Sequence, residues 1–184
     1  MHPITPNAER PELDTKFSVG ATIVVNDKMQ ANYTYVLSAS AGGDFAEGFT
    51  PHYSPPEMLR LGVFEGKYCN DCTGEFPAAW FEEAKTSEKA DISCNYFNIK
   101  SRQPLSVWRE NGWILGPDPR GWFQWYCRYY LGRRIPDIDQ IQINRWRAFA
   151  RHAGQIKANC YPGDIYCRSR QRQALLQWAY DPFI

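Results

Sequence analysis

The hydrophobic pattern divides this chain into a short strand-like stretch and a long helical one. Val19-Gly-Ala-Thr-Ile-Val-Val25 and Ala31-Asn-Tyr-Thr-Tyr-Val-Leu37 are β-branched and aromatic runs on either side of the polar Asn26-Asp-Lys-Met-Gln30. Such runs around a polar turn predict a β-hairpin. Residues 38–56 are rich in Ser, Gly and Pro and read as loop.

Helical signals begin near residue 55. Ser54-Pro-Pro-Glu57 has the form of a helix start, with Ser as N-cap, Pro in the first turn, and Met58, Leu59, Leu61 and Val63 as the buried side. Trp80, Phe81 and Ala84 predict a second helix over 77–85, and 101–111 a third that ends near Gly112. Gly116-Pro-Asp-Pro119 is a turn. Three further helices are expected: 119–132, with Asp118 as N-cap and Gly132 as stop; 137–159, opened by Pro136 and Asp137 and running through Gly154; and 168–180, stopped by Pro182. Cys160-Tyr-Pro-Gly-Asp-Ile-Tyr-Cys167 is a turn-bearing loop.

The predicted fold class is α+β, mostly α-helical, with an N-terminal β-hairpin packed on a bundle of about five to six helices. Residues 1–16 read as a flexible arm and 17–184 as a single globular domain: hairpin and loop over 17–50, an acidic helical part over 55–118 and an Arg- and aromatic-rich helical part over 119–184. With 43% apolar and 15% aromatic residues in a chain of 184, a sizeable core is affordable and disorder is excluded. The first ten residues hold no apolar signal segment, and no apolar run nears the roughly 20 residues of a membrane helix. The expected setting is therefore intracellular, cytoplasmic or nuclear, without membrane contact.

Charge changes this picture most. Residues 1–119 hold 10 Lys and Arg against 16 Asp and Glu, a net of −6. Residues 120–184 hold 11 against 4, a net of +7, and Lys157 is the only Lys among those cations. Arginine presents a planar, permanently charged fork suited to phosphate or carboxylate and to stacking on rings. On the 119–132 helix Arg120, Gln124 and Arg128 form one polar stripe among Trp122, Phe123, Tyr126, Tyr129 and Tyr130. Gln140, Asn144, Arg147 and Arg151 share a face of the next helix, with Trp146, Phe149, Ala153 and Ile156 on another; Arg168 and Arg172 are four apart on the last. Like charges at that spacing cost roughly a few tenths of a kcal/mol per pair. They invite compensation, either from acids of the first half such as Glu82, Glu83, Glu88 and Asp91, or from an outside anion.

Candidate phosphate ligands are Arg128, Arg133, Arg134, Arg147, Arg151, Arg168 and Arg172, with Trp122 or Trp125 stacking on bases. His152 follows Arg151, whose charge favours a neutral ring suited to a general base. Asp44, in the Gly-rich loop Ala41-Gly-Gly-Asp-Phe-Ala-Glu-Gly48, is the other reactive candidate. Against these stand plain structural roles: a packed His, and Arg stems lining the rim of a core. Of six Cys, Cys69 and Cys72 form a CxxC that alone does not close a zinc site, and Cys160 and Cys167 have the wrong spacing to complete it. Reduced thiols are expected, with no metal and no cofactor; zinc on Cys69 and Cys72 is the weak alternative. No phosphate-loop, GxSxG, HExxH or dinucleotide fingerprint is present.

Three functions remain open. The first expectation is binding of a phosphate-bearing anion, nucleic acid first, through the Arg and aromatic helical face. The second is a small enzyme of specialised or nucleotide metabolism, with an Arg-lined pocket holding His152. The third is an interaction module for an acidic protein partner.

Overall fold

The structure, a computed structural model, describes residues 15–184, so residues 1–14 of the arm expected over 1–16 lie outside the described residues, while Thr15 and Lys16 enter a 3-10 turn, Thr15–Phe17. Strand β1 (Thr22–Val25) pairs antiparallel with β2 (Tyr33–Val36) in the register Ile23↔Tyr35 and Val25↔Tyr33. The alternation of period two puts Ile23, Val25, Tyr35 and Leu37 into the core and leaves Val24 and Val36 outside. Asp27 builds the connecting turn by accepting the N–H groups of Met29 and Gln30 at 2.7 and 3.0 Å.

Six helices follow: α1 (Pro55–Leu61), α2 (Leu105–Glu110), α3 (Trp122–Leu131), α4 (Pro136–Phe149), α5 (Arg151–Asn159) and α6 (Ser169–Gln177). The α+β, mostly helical class is as expected. Among the described residues no helix is long and apolar enough to cross a membrane.

The start of α1 follows its sequence signal: the Glu57 carboxylate accepts the Ser54 N–H at 2.7 Å, behind prolines in the first turn. The helix expected over 77–85 contracts to a single 3-10 turn, Ala78–Trp80. Its apolar side chains pack differently: Phe76 stacks on Trp80 with centroids 5.5 Å apart. The following backbone bonds across the fold, Lys85 N–H to Leu59 O and Ser87 N–H to Gly66 O, which an extended helix would forbid. The long helix expected over 137–159 divides at Ala150, where an i→i+3 bond from Ala150 to Arg147 tightens the chain; Gly154 lies intact within α5.

Helix α3 is the centre of the core, with Trp122 to Tyr129 all buried. Phe49, from the loop after the hairpin, meets Trp125, Tyr126, Tyr129 and Trp146 edge-on at 4.9–5.9 Å. Gly132 ends α3 in the left-handed conformation at φ 117°; a Cβ there would stand 2.0 Å from Ala39 O, so only glycine lets this loop lie across the helix end.

Asp118 does not cap α3; that position is Gly121. Instead Asp118 is buried in an ion network. Arg128 donates to Glu75 through Nε at 2.6 Å and Nη2 at 3.0 Å, to Asp118 and Pro117 O through Nη1, and to Gln30 Oε1 through Nη2. Arg133 donates to the other Asp118 oxygen at 2.6 Å and to the Tyr33 hydroxyl at 3.3 Å. The Tyr33 and Tyr35 rings lie 5.1 and 5.5 Å from the Arg128 guanidinium. Two cations and two carboxylates thus balance inside the protein. Removing one partner strands a buried charge at a cost of about 3–5 kcal/mol. Asp118→Ala should lower unfolding stability by about that amount in chemical denaturation, while exposed Glu82→Ala should stay within about 0.5 kcal/mol; equal effects would contradict this account.

Candidate functional site, a cationic aromatic cleft

A cleft of about 990 Å³ opens where α2, the start of α3, the α4–α5 junction and α6 converge. Helical spacing builds its walls. Arg145, Ala148, Phe149 and His152 fall at i, i+3, i+4 and i+7 through the Ala150 turn, and Gln171, Ala174 and Trp178 repeat the pattern along α6 and its end. Small Ala148 and Ala174 leave room between the helices. From α2 and the chain beyond it come Trp108 and Trp113, and from the turn Phe64–Gly66 and the residues after it come Phe64, Lys67 and Tyr68.

Among the described residues seven Lys and Arg side chains line the cleft, Lys67, Lys100, Arg102, Arg120, Arg145, Arg151 and Arg170, and no Asp or Glu does. Two are neutralised from behind: Arg102 by buried Glu65 at 2.9 Å, and Arg120 by Asp27 at 3.2 Å and Asp71 at 3.0 Å. The other five form no ion pair among the described residues. Arg145 is held by carbonyl oxygen instead, donating to Trp113 O at 2.7 Å, and burial alone lowers its pKa.

A column of rings reaches the cleft from the core. Tyr126 stacks on Trp122 (5.2 Å), Trp122 on Trp178 (4.6 Å), Trp178 on Phe149 (4.7 Å), and Phe149 lies 4.4 Å from the His152 ring. Gln171 Nε2 donates to His152 Nδ1 at 3.3 Å and also to Gln155 Oε1. A neutral His152 accepting at Nδ1 carries its proton on Nε2. Partial burial, then the charge of Arg151, lowers its pKa from 6.5.

Among the expected site residues, Arg151, His152 and Trp122 line this cleft. Arg128 and Arg133 do not, because the internal network consumes them. Arg172 is buried with its guanidinium on the carbonyls of Asp164, Cys167, Pro182 and Ile184. Trp125 is fully buried, donating to Asp139 at 2.8 Å, and has no face for a base. Arg134 lies on the Tyr129 ring at 3.9 Å and donates to Gly43 O and Asp44 O. Arg147 bonds Glu47 O, parted from Arg151 by the break at Ala150, and exposed Arg168 bonds Gln171. Asp44 is exposed in its loop and is not part of the cleft wall, so it is not brought together with His152. Internal compensation comes from Glu75, Asp118, Asp27, Asp71 and Glu65; of the acids singled out earlier, only Glu83 pairs among the described residues, with Arg60 at 3.7 Å.

Cys69, Cys72 and Cys127 are buried and hydrogen bond through Cys69, and their surroundings push all three thiols up. Cys160 and Cys167 depart from the expected reduced state: their Cα atoms are 5.8 Å apart and they form a disulfide. The turn between them, held by Asp164 accepting the N–H groups of Tyr166 and Cys167, brings the pair together. Among the described residues no group of three or more His, Cys, Asp and Glu is placed to hold a metal ion.

Sequence reasoning missed Arg145, Arg170, Lys67, Lys100, Trp108, Trp113 and Trp178. The i, i+3, i+4, i+7 run from Arg145 to His152 was the available signal. No family model, no curated protein and no solved structure matches this chain.

Because the folded pKa of His152 lies below 6.5, the unfolded chain takes up this proton first as pH falls. Its contribution to stability is present above 6.5 and is lost as pH drops below that value through the folded pKa. The His152 Cε1 proton should titrate below 6.5 in NMR spectra, and His152→Gln should remove that part of the pH dependence of stability; a midpoint at or above 6.5 would contradict the arrangement.

Proposed function

We propose that this protein binds a phosphate-bearing anion in the α2–α6 cleft. The observation that carries the reading is the one-sided charge of the wall among the described residues: seven Lys and Arg, no Asp or Glu. Elsewhere the chain answers buried Arg128 and Arg133 with carboxylates and buried Arg172 with backbone carbonyls. Here five cations, four of them exposed, line one concavity without a carboxylate partner among the described residues, and a cleft lined by one sign of charge concentrates its field in the space it encloses. Guanidinium groups of Arg145, Arg151 and Arg170 match phosphate oxygens in geometry as well as charge.

The cleft volume suits a small ligand, and its apolar lining with a few convergent polar groups has the composition of a small-molecule site. This favours a phosphorylated small molecule over the nucleic acid expected from sequence. An acidic protein would meet a concavity rather than a flat basic face. A second reading, an enzyme acting on that ligand, has one observation in its favour: His152, neutral and fixed by Gln171, stands in the same wall as the cations.

Calorimetry with pyrophosphate should show binding that weakens as salt rises. Arg151→Glu combined with Arg170→Glu should weaken it by about tenfold or more, the scale of one charge-assisted contact. Lys157→Glu, exposed on α5 outside the cleft, should leave it unchanged. Absence of pyrophosphate binding at low salt would overturn the proposal.

A further inference from the structure

Resting on the anion reading above, we infer that the cleft takes a nucleoside di- or triphosphate, its base against Trp113 and its phosphates among Arg145, Arg151 and Arg170. The inference comes from a ring that the core does not use. Trp113 is 41% exposed, although the protein buries most of its large aromatic side chains. It is nevertheless fixed. Its N–H bonds Trp108 O at 2.9 Å, and its indole meets Trp108 edge-on at 5.6 Å and 87°. Trp108 in turn packs over the start of α3, where a Cβ on Gly121 would lie 3.5 Å from the Trp108 ring. An edge-on contact sets the edge of one ring against one face of the other, so Trp108 covers at most one face of the Trp113 indole and the other stays open to a planar group.

The same tryptophan is tied to the cationic wall. The Arg145 guanidinium donates to the main-chain carbonyl of Trp113, so a positive charge is held at the backbone of the residue that carries the exposed indole, and both line the cleft. A ligand satisfying both must be flat and aromatic at one end and anionic at the other. A nucleotide has that form, since every base has a stacking face and every phosphate accepts from a guanidinium. The number of cations sets the length of the anionic part. Lys67, Lys100, Arg145, Arg151 and Arg170 lack carboxylate partners among the described residues, and a single phosphate would answer only some of them. A di- or triphosphate answers more. Because the wall offers the phosphates side-chain cations, affinity should persist in EDTA.

The test is a calorimetric titration of the full chain, in EDTA, with adenosine triphosphate, tripolyphosphate and adenosine, and with an oligonucleotide about ten nucleotides long. The nucleotide should bind about tenfold or more tighter than tripolyphosphate, the scale of one stacked base. Trp113→Ala should close that gap and leave tripolyphosphate binding as it was, and Trp113→Phe should retain most of it; unchanged thermal unfolding shows that both variants fold. Tripolyphosphate binding as tightly as the nucleotide would overturn the base site while leaving the anion reading standing. Binding of neither would overturn both. An oligonucleotide binding tenfold tighter than the mononucleotide would replace the single nucleotide with a strand.

Discussion

The Arg128 guanidinium has five N–H groups, and all five find an acceptor inside the protein. That requirement organises much of the structure. A buried cation is tolerated only when it is paired and its donors are satisfied. Satisfying this one brings together the hairpin turn through Gln30, the Thr73–Glu75 turn through Glu75 and the turn before α3 through Pro117 and Asp118. Tyr35 closes the set by donating to Glu75 at 3.0 Å, and its own hydroxyl is pushed far from ionising, first by burial and then by the Glu75 charge. With its charge answered internally, α3 can be buried on nearly all sides, and the remaining helices pack around it.

Two populations of arginine follow. One is structural: Arg128 and Arg133 pair with carboxylates, while Arg172 gathers four backbone carbonyls. The other faces the cleft. The lopsided charge of the sequence therefore mixes a solved folding problem with an unsolved one. The second population is the one on which the proposed function rests: there, Lys67, Lys100, Arg145, Arg151 and Arg170 line one concavity without a carboxylate partner among the described residues. This separation also explains why basic residues near one another in sequence differ in role. Arg147 and Arg151 are one helical turn apart, yet the Ala150 break sends one to a loop carbonyl and the other into the cleft.

Elements specified by local chemistry were legible in the sequence. The hairpin has alternating apolar positions and an Asp-built turn; α1 has Ser54 and Glu57; α3 stops where Gly132 permits a left-handed residue. Elements decided by tertiary contact were not. The 77–85 segment carries helical spacing, but its backbone finds partners in α1 and the Phe64–Gly66 turn. Asp118 stands where a helix cap belongs and is drawn instead into the core by two arginines. The cleft divides in the same way. Arg151 and His152 were visible as neighbours on a basic helix, whereas Trp113, Arg145 and Arg170 come from three separated segments whose meeting no local pattern encodes.

The ring column shows why such a site can be held rigid without a dedicated scaffold. Tyr126 and Trp122 belong to the buried helix, and Trp178 and Phe149 continue their stack outward to His152. Each ring is positioned by the next through stacking contacts, and Trp122 is further fixed by donating to Gln142 O at 3.2 Å. The cleft wall is thus the outer end of the core rather than a loop laid over it. Rotating Phe149 would break its stack on Trp178, and displacing Trp178 would disturb a packed interior in which small voids are costly. For the anion proposed above, a preorganised wall of this kind would let binding proceed with little loss of ring freedom on that side, so more of the ligand's interaction with the cations would appear as affinity.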